Sequence, residues 1–94
     1  MATPEGKVKA LVKGILKDIG AYYTMPSTGG YGSSGVPDFI VCNRGRFYGI
    51  ECKAGKGITT SLQEKHLHEI RIAGGKAIVI NELNIDELRE YLTK

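Results

Sequence analysis

The chain has 94 residues, 41% hydrophobic and 24% charged, with a formal net charge of +3. That length bounds it to one domain with a modest core, burying roughly 60 to 65% of the unfolded surface, for which self-association is an expected source of added stability. No apolar run approaches the ~20 residues of a membrane-spanning helix, and the start of the chain lacks a signal-peptide core, so a soluble intracellular protein is expected. The two cysteines, Cys42 and Cys52, have no C-x-x-C spacing. Neither a zinc site nor a disulfide framework is expected of them, and they are read as reduced.

Thr3 caps a first helix with Pro4 at its first position, and Val8, Leu11, Val12, Ile15, Leu16 and Ile19 form its apolar stripe until Gly20 ends it. Glu5 lies one turn before Val8, at the edge of that stripe. Two readings of it stay open: an acid turned inward toward a site on the sheet, and a first-turn acid favoured by the helix dipole. Lys9, Lys13 and Lys17 recur at i, i+4, read first as a solvated face and second as a track for phosphates.

Ala21 to Met25 reads as a short strand, followed by Pro26-Ser27-Thr28 and a glycine-rich loop that ends at Gly35. Gly30-Tyr31-Gly32-Ser33-Ser34-Gly35 matches the letters of G-x-G-x-x-G, but that fingerprint must open a helix, and here Pro37 and a strand follow. A loop of small residues that lets a nucleic-acid backbone approach is the better reading, with Tyr31 packing rather than stacking on a base.

Asp38 to Cys42 and Phe47 to Cys52 are rich in β-branched and apolar residues and read as strands joined by the hairpin Asn43-Arg44-Gly45-Arg46. After Lys53, Ala54-Gly55-Lys56-Gly57 leads to a helix from Thr60 or Ser61 to Ala73, where Thr60-x-x-Gln63 and Ser61-x-x-Glu64 are both capping boxes. His66 and His68, two apart on that helix, cannot share a face, and neither is given a role. Lys76 to Ile80 reads as a buried strand. Asn84-x-x-Glu87 is a box for a last helix with Ile85, Leu88 and Leu92 on one face.

Register turns these elements into chemistry. With Arg44-Gly45, or the whole stretch from Asn43 to Arg46, as the loop, Cys42 faces Phe47, Ile40 faces Gly49, and Asp38 stands opposite Glu51, whereas a three-residue loop with a bulge would shift the pairing by one. Directly opposed side chains have Cβ atoms about 4.5 to 5.5 Å apart, and two carboxylates there repel unless a cation lies between them. A hard divalent ion with oxygen ligands meets that need. Alternation puts Lys53 on the face of Asp38 and Glu51, and Ile50 and Cys52 on the other. Phosphodiester hydrolysis suits such a site, since the metal activates water and the ammonium stabilises developing negative charge.

Gly35-Val36-Pro37-Asp38, then Glu51-x-Lys53, then Gln63 in the next helix, with Gly74-Gly75 before an apolar strand, resembles the VRR-NUC branch of the PD-(D/E)XK nucleases. The likeness spans nearly the whole chain, read as a single VRR-NUC-like domain over residues 1–94. It implies an α/β fold with a restriction-endonuclease-like αβββαβ core, a mixed central sheet flanked by helices, plus a C-terminal helix. It also implies a Mg²⁺- or Mn²⁺-dependent, structure-selective DNA endonuclease. Asp38, Glu51 and the backbone carbonyl of Cys52 would carry the metal, Lys53 would assist catalysis and Gln63 would complete the site. The first helix of the family often adds one more acid, for which Glu5 is the candidate.

Stand-alone members of this size resemble phage or prophage proteins that act as homodimers on four-way junctions or flaps, in replication, recombination or repair in the bacterial cytoplasm. Arg44, Arg46, Lys56 and Lys65 are expected around the site as candidate DNA contacts. One alternative is a catalytically idle nucleic-acid-binding module of the same fold, which predicts loss of a site residue, whereas Asp38, Glu51 and Lys53 are all present. Another is a hydrolase of small phosphate esters, disfavoured by the open glycine loop and basic surroundings.

Overall fold

Thr3 starts the first helix as its hydroxyl allows, accepting the Gly6 N–H at 2.9 Å, and Pro4 follows where no helical N–H is needed. In this computed structural model, which describes residues 3–27 and 35–94, α1 spans Pro4–Asp18. The glycine-rich stretch before Gly35, with Tyr31, lies outside the described residues. Val8, Val12 and Leu16 are fully buried. The expected stripe is narrower than the sequence suggested, for Leu11 sits at its margin and is 54% exposed.

Four strands follow in the spatial order β1 (Tyr22–Thr24), β2 (Phe39–Asn43), β3 (Arg46–Cys52) and β4 (Lys76–Ile80). The first three are antiparallel, and β4 runs parallel to β3 after a crossover through α2 (Ser61–Ile72). The β2–β3 hairpin turns on two residues of positive φ, Arg44 (55°) and Gly45 (78°), the type I′ geometry that matches strand twist. This turn pins the register from Asn43↔Arg46 to Phe39↔Ile50, as the alternation of the two runs predicts.

One sheet face carries Phe39, Val41, Tyr48, Ile50, Cys52 and Ile80 into a core with α1 and with α3 (Leu88–Thr93), which contributes Leu88 and Leu92. The other face lies under α2, which packs on β3 and β4 and buries Leu67. A mixed sheet flanked by helices, with a C-terminal helix, is thus the fold.

The last helix departs from expectation in how it starts. A 3₁₀ turn (Ile85–Glu87) precedes α3, and Asn84 makes no capping bond to it. Its carboxamide instead accepts the Asn81 N–H at 2.8 Å and donates to the Val79 carbonyl at 2.9 Å, covering part of the β4 edge. Polar side chains that bond nearby backbone compete with capping in this way. The far end of α3 is held by the hairpin. Asn43 and Tyr48 donate to the Leu92 carbonyl, Arg44 to that of Thr93 and Arg46 to that of Lys94, satisfying carbonyls a helix end leaves open.

Candidate active site

The segment Gly35-Val36-Pro37-Asp38 builds the site, each residue by a different physical property. Gly35 has φ +87, and a Cβ there would stand 2.7 Å from the Leu62 backbone, so its bareness lets the first turn of α2 rest on this loop. Pro37 is buried beside Gly49, where a Cβ would meet Ile70 of α2 at 2.5 Å and Pro37 at 3.2 Å. Helix and loop therefore close over β3 just where Glu51 emerges.

Pro37 also lacks an N–H. The β2–β3 pairing ends at Phe39↔Ile50 and the chain bends at Asp38, so Pro37 packs against Gly49 and continues no ladder. The Cys52 N–H is taken by the Asp38 carboxylate, Oδ2 accepting at 2.8 Å. Asp38 lies in the bend just beyond the ladder rather than in a paired position opposite Glu51, and its carboxylate reaches Cys52 and Glu51 at the end of the sheet, where groups from both faces meet.

Glu51 is 2% exposed. Its carboxyl is pushed up to about 8, by burial first and then by the Asp38 carboxylate, through charge and a hydrogen bond, while Lys53 pulls the other way. Gln63 Nε2 donates to Glu51 Oε2 at 3.2 Å, and Lys53 Nζ lies 3.8 Å from the same oxygen. The Lys53 side chain is only 13% exposed, and its N–H extends β3 by bonding the Ile80 carbonyl.

Gln63 serves the helix and the site together. Its N–H donates to the Thr60 hydroxyl and its side-chain oxygen accepts the Thr60 N–H at 2.9 Å, completing the capping box, while its amide nitrogen reaches Glu51. Glu64, placed to cap in its stead, instead accepts the Thr59 hydroxyl. Capping fixes the rotamer that presents the amide to Glu51.

A further residue went unassigned to the site by sequence reasoning. Lys9 Nζ lies 3.3 Å from Asp38 Oδ1 and 3.8 Å from Glu5 Oε2. Burial lowers its pKa, but the Asp38 carboxylate more than offsets that and holds it above the ordinary value. The i, i+4 spacing from Glu5 was visible, but the placement of α1 over the start of β2 was not. Glu5 joins the cluster through Lys9 and through longer-range charge on Glu51.

Other expectations about position are corrected or narrowed. Arg44 and Arg46 are not beside the carboxylates, because the hairpin turn lies five residue steps from Asp38, roughly 17 Å along the strand, with both guanidinium groups on the end of α3. Lys56 is exposed in the turn after Lys53, at the site's end of the sheet. Lys65 is exposed on α2, two residues beyond Gln63 and so on a different helix face. His66 lines a groove of about 690 Å³ with Phe47, Glu69 and Gly75, toward the hairpin end. The two thiols are free and on opposite sheet faces, Cys42 exposed and Cys52 buried. Burial first, then the nearby Asp38 and Glu51 carboxylates, push the Cys52 thiol up to about 12, which keeps it inert.

Among the described residues no group of three or more His, Cys, Asp or Glu side chains is arranged to hold a metal ion. The donors that converge are two carboxyl groups, one of them kept from ionising by burial first and then by the other. Such an oxygen set needs positive charge and suits a hard divalent ion.

No protein-family model and no curated protein matches the chain. Solved structures do. A protein described as a VRR_NUC domain superposes with a TM-score of 0.82 at 27% identity, over 96% of this chain and 98% of that one. This chain has a VRR-NUC fold. Hjc, a Holliday junction resolvase from the archaeal hyperthermophile Archaeoglobus fulgidus, superposes with a TM-score of 0.60 at 19% identity, over 80% of this chain and 65% of that one. That second likeness concerns the fold alone.

Proposed function

We propose that this VRR-NUC chain is a Mg²⁺- or Mn²⁺-dependent endonuclease that hydrolyses phosphodiester bonds in branched DNA. The observation that carries the reading is the convergence of Asp38, Glu51, Lys53 and Gln63 at the end of β2 and β3, with Gln63 and Lys53 both on one Glu51 oxygen. The likeness to a VRR-NUC domain supports nuclease chemistry, and the resolvase sharing the fold supports branched DNA as the substrate.

In this proposal Asp38, Glu51 and the Cys52 carbonyl hold the ion. When bound, it supplies Lewis-acid charge and a water of lowered pKa. The chain's own part is positional and electrostatic. Lys53 directs an ammonium at the charge that develops on the phosphoryl oxygens, in a setting dry enough for that charge to count. Gln63 keeps the Glu51 carboxyl turned toward Asp38, and the Cys52 N–H does the same for Asp38 itself. Water adds across the P–O bond, leaving a phosphate on one side and a hydroxyl on the other. Lys56, exposed at this end of the sheet, is the nearest of the expected backbone contacts.

A homodimer belongs to the same proposal, because cutting both strands of a two-fold junction takes two sites. Tyr22, Ile40, Cys42 and Phe47 share the sheet face that α2 covers only over β3 and β4, and Tyr22 is 73% exposed. No described helix is long and apolar enough to cross a membrane. A DNA substrate and free thiols suit work in the bacterial cytoplasm, on phage or host DNA.

The test is single-turnover cleavage of end-labelled duplex, flap, splayed-arm and four-way-junction DNA with Mg²⁺, Mn²⁺ or EDTA, for the wild type and Asp38→Ala. Ion-dependent cutting, fastest on a branched substrate and lost in the variant, is expected. Binding without cutting under every condition would replace the reading with an idle DNA-binding module.

A further inference from the structure

Two ammonium groups stand in the carboxylate cluster, and they differ in kind. Lys53 is 13% exposed and belongs to the sheet, its backbone bonded to β4. Lys9 is 34% exposed and comes from α1, on a long flexible side chain that lies across the helix surface between Glu5 and Asp38. Asp38 has one oxygen on the Cys52 N–H and the other on Lys9, so the approach to its Oδ1 is taken by a cation.

We propose that Lys9 is a resident counter-ion that competes with the divalent metal for Asp38, and so sets the ion concentration at which the site fills. This rests on the metal-dependent reading above.

Charge decides the argument. Glu5, Asp38 and Glu51 bring three carboxyl groups, and Lys9 and Lys53 bring two ammonium groups, leaving little net negative charge to attract an ion. A divalent ion seated on Asp38 Oδ1 meets like-charge repulsion from the ammonium 3.3 Å from that same oxygen, so the two compete for it. Lys9 can leave. Its exposure gives its head a route to water, and Glu5, itself 40% exposed, remains a partner one turn away on the same helix. Glu5 thereby acts as the place where Lys9 parks. The apparent affinity for the ion is reduced by the fraction of time that Asp38 is free. A partly exposed ion pair of this kind is worth on the order of a three- to tenfold shift.

The experiment is isothermal titration of Mn²⁺ into metal-free wild type, Lys9→Met, Lys9→Gln and Lys13→Met at one pH and ionic strength, with thermal melts of each protein with and without Mn²⁺. Lys13 is exposed on the same helix and controls for the loss of one positive charge. Both Lys9 variants are expected to bind Mn²⁺ about three- to tenfold tighter than wild type with the same number of ions. Their metal-free melting points should fall, their Mn²⁺-induced rise should grow, and Lys13→Met should stay within about twofold of wild type. A residue that served structure alone would not tighten binding when removed. Equal or weaker Mn²⁺ affinity in the folded Lys9 variants overturns the inference and leaves the metal reading intact. Absence of Mn²⁺ binding by every protein overturns the metal reading and the inference with it.

Discussion

Replacing Glu51 by glutamine should stabilise the metal-free protein while removing its activity, and the gain should depend on pH in a defined direction. The folded carboxyl titrates at about 8 and the unfolded one at about 4.5, because burial and the Asp38 carboxylate disfavour its charged form. The stability that goes with the protonated group is fully present below pH 4.5 and is lost as pH rises through 8. A gap of that size corresponds to at most about 5 kcal/mol above pH 8, with about 3 kcal/mol already lost at pH 7. The glutamine variant is neutral throughout and imitates the protonated state.

Urea unfolding in EDTA at pH 5 to 9 measures the difference. The variant's advantage should grow by about 2 to 4 kcal/mol across that range, allowing for relaxation around the charge. Mn²⁺ should then raise the stability of the wild type, most at high pH, and leave the variant almost unchanged. Parallel pH profiles for the two proteins would refute the reasoning, since Glu51 would then ionise without cost and Lys53 at 3.8 Å would suffice as its partner.

Lys53→Met should lower the single-turnover cleavage rate by about 10²- to 10³-fold, the scale for removing one group aimed at developing charge, with Mn²⁺ affinity by calorimetry altered far less. Gln63→Ala should cost about 1 kcal/mol in urea unfolding through the lost side-chain bond to the Thr60 N–H, the Thr60 cap itself remaining, and slow cleavage as well. Gln63→Glu keeps the capping oxygen but turns a carboxylate toward Glu51, so helix stability should persist while cleavage falls. Gly35→Ala should cost about 2 kcal/mol or more, because φ is positive and the new methyl meets the Leu62 backbone; a change below about 0.5 kcal/mol would show that α2 does not rest on that loop.

Sequence periodicity reached the site because the site is built on a hairpin. A two-residue turn leaves one register up to Phe39↔Ile50 and alternation puts Glu51 and Lys53 on one face, while the bend at Asp38, which register does not supply, brings its carboxylate to them. Spacing alone read Gln63 as a cap and only the family resemblance pointed it at the site; the structure joins the two, because one side chain has an acceptor for Thr60 and a donor for Glu51. Lys9 was not legible as a site residue. Helical spacing places it one turn from Glu5, but whether that turn lies over β2 depends on how far α1 slides along the sheet, which Val8, Val12 and Leu16 fix by packing. The destinations of Arg44 and Arg46 were hidden likewise, because the carbonyls they bind belong to α3, nearly fifty residues further on.

The short Gly-x-Pro-Asp segment also explains why a carboxylate pair can persist in so small a domain. Proline packs against Gly49 under α2 and the chain bends at Asp38, which turns the Asp38 carboxylate onto the Cys52 N–H. Asp38 is thereby fixed from the backbone on one side and from α1 on the other, while Glu51 is fixed from α2. Three separate elements hold the two carboxyl groups together, so burial and the Asp38 charge keep Glu51 from ionising until further positive charge joins them.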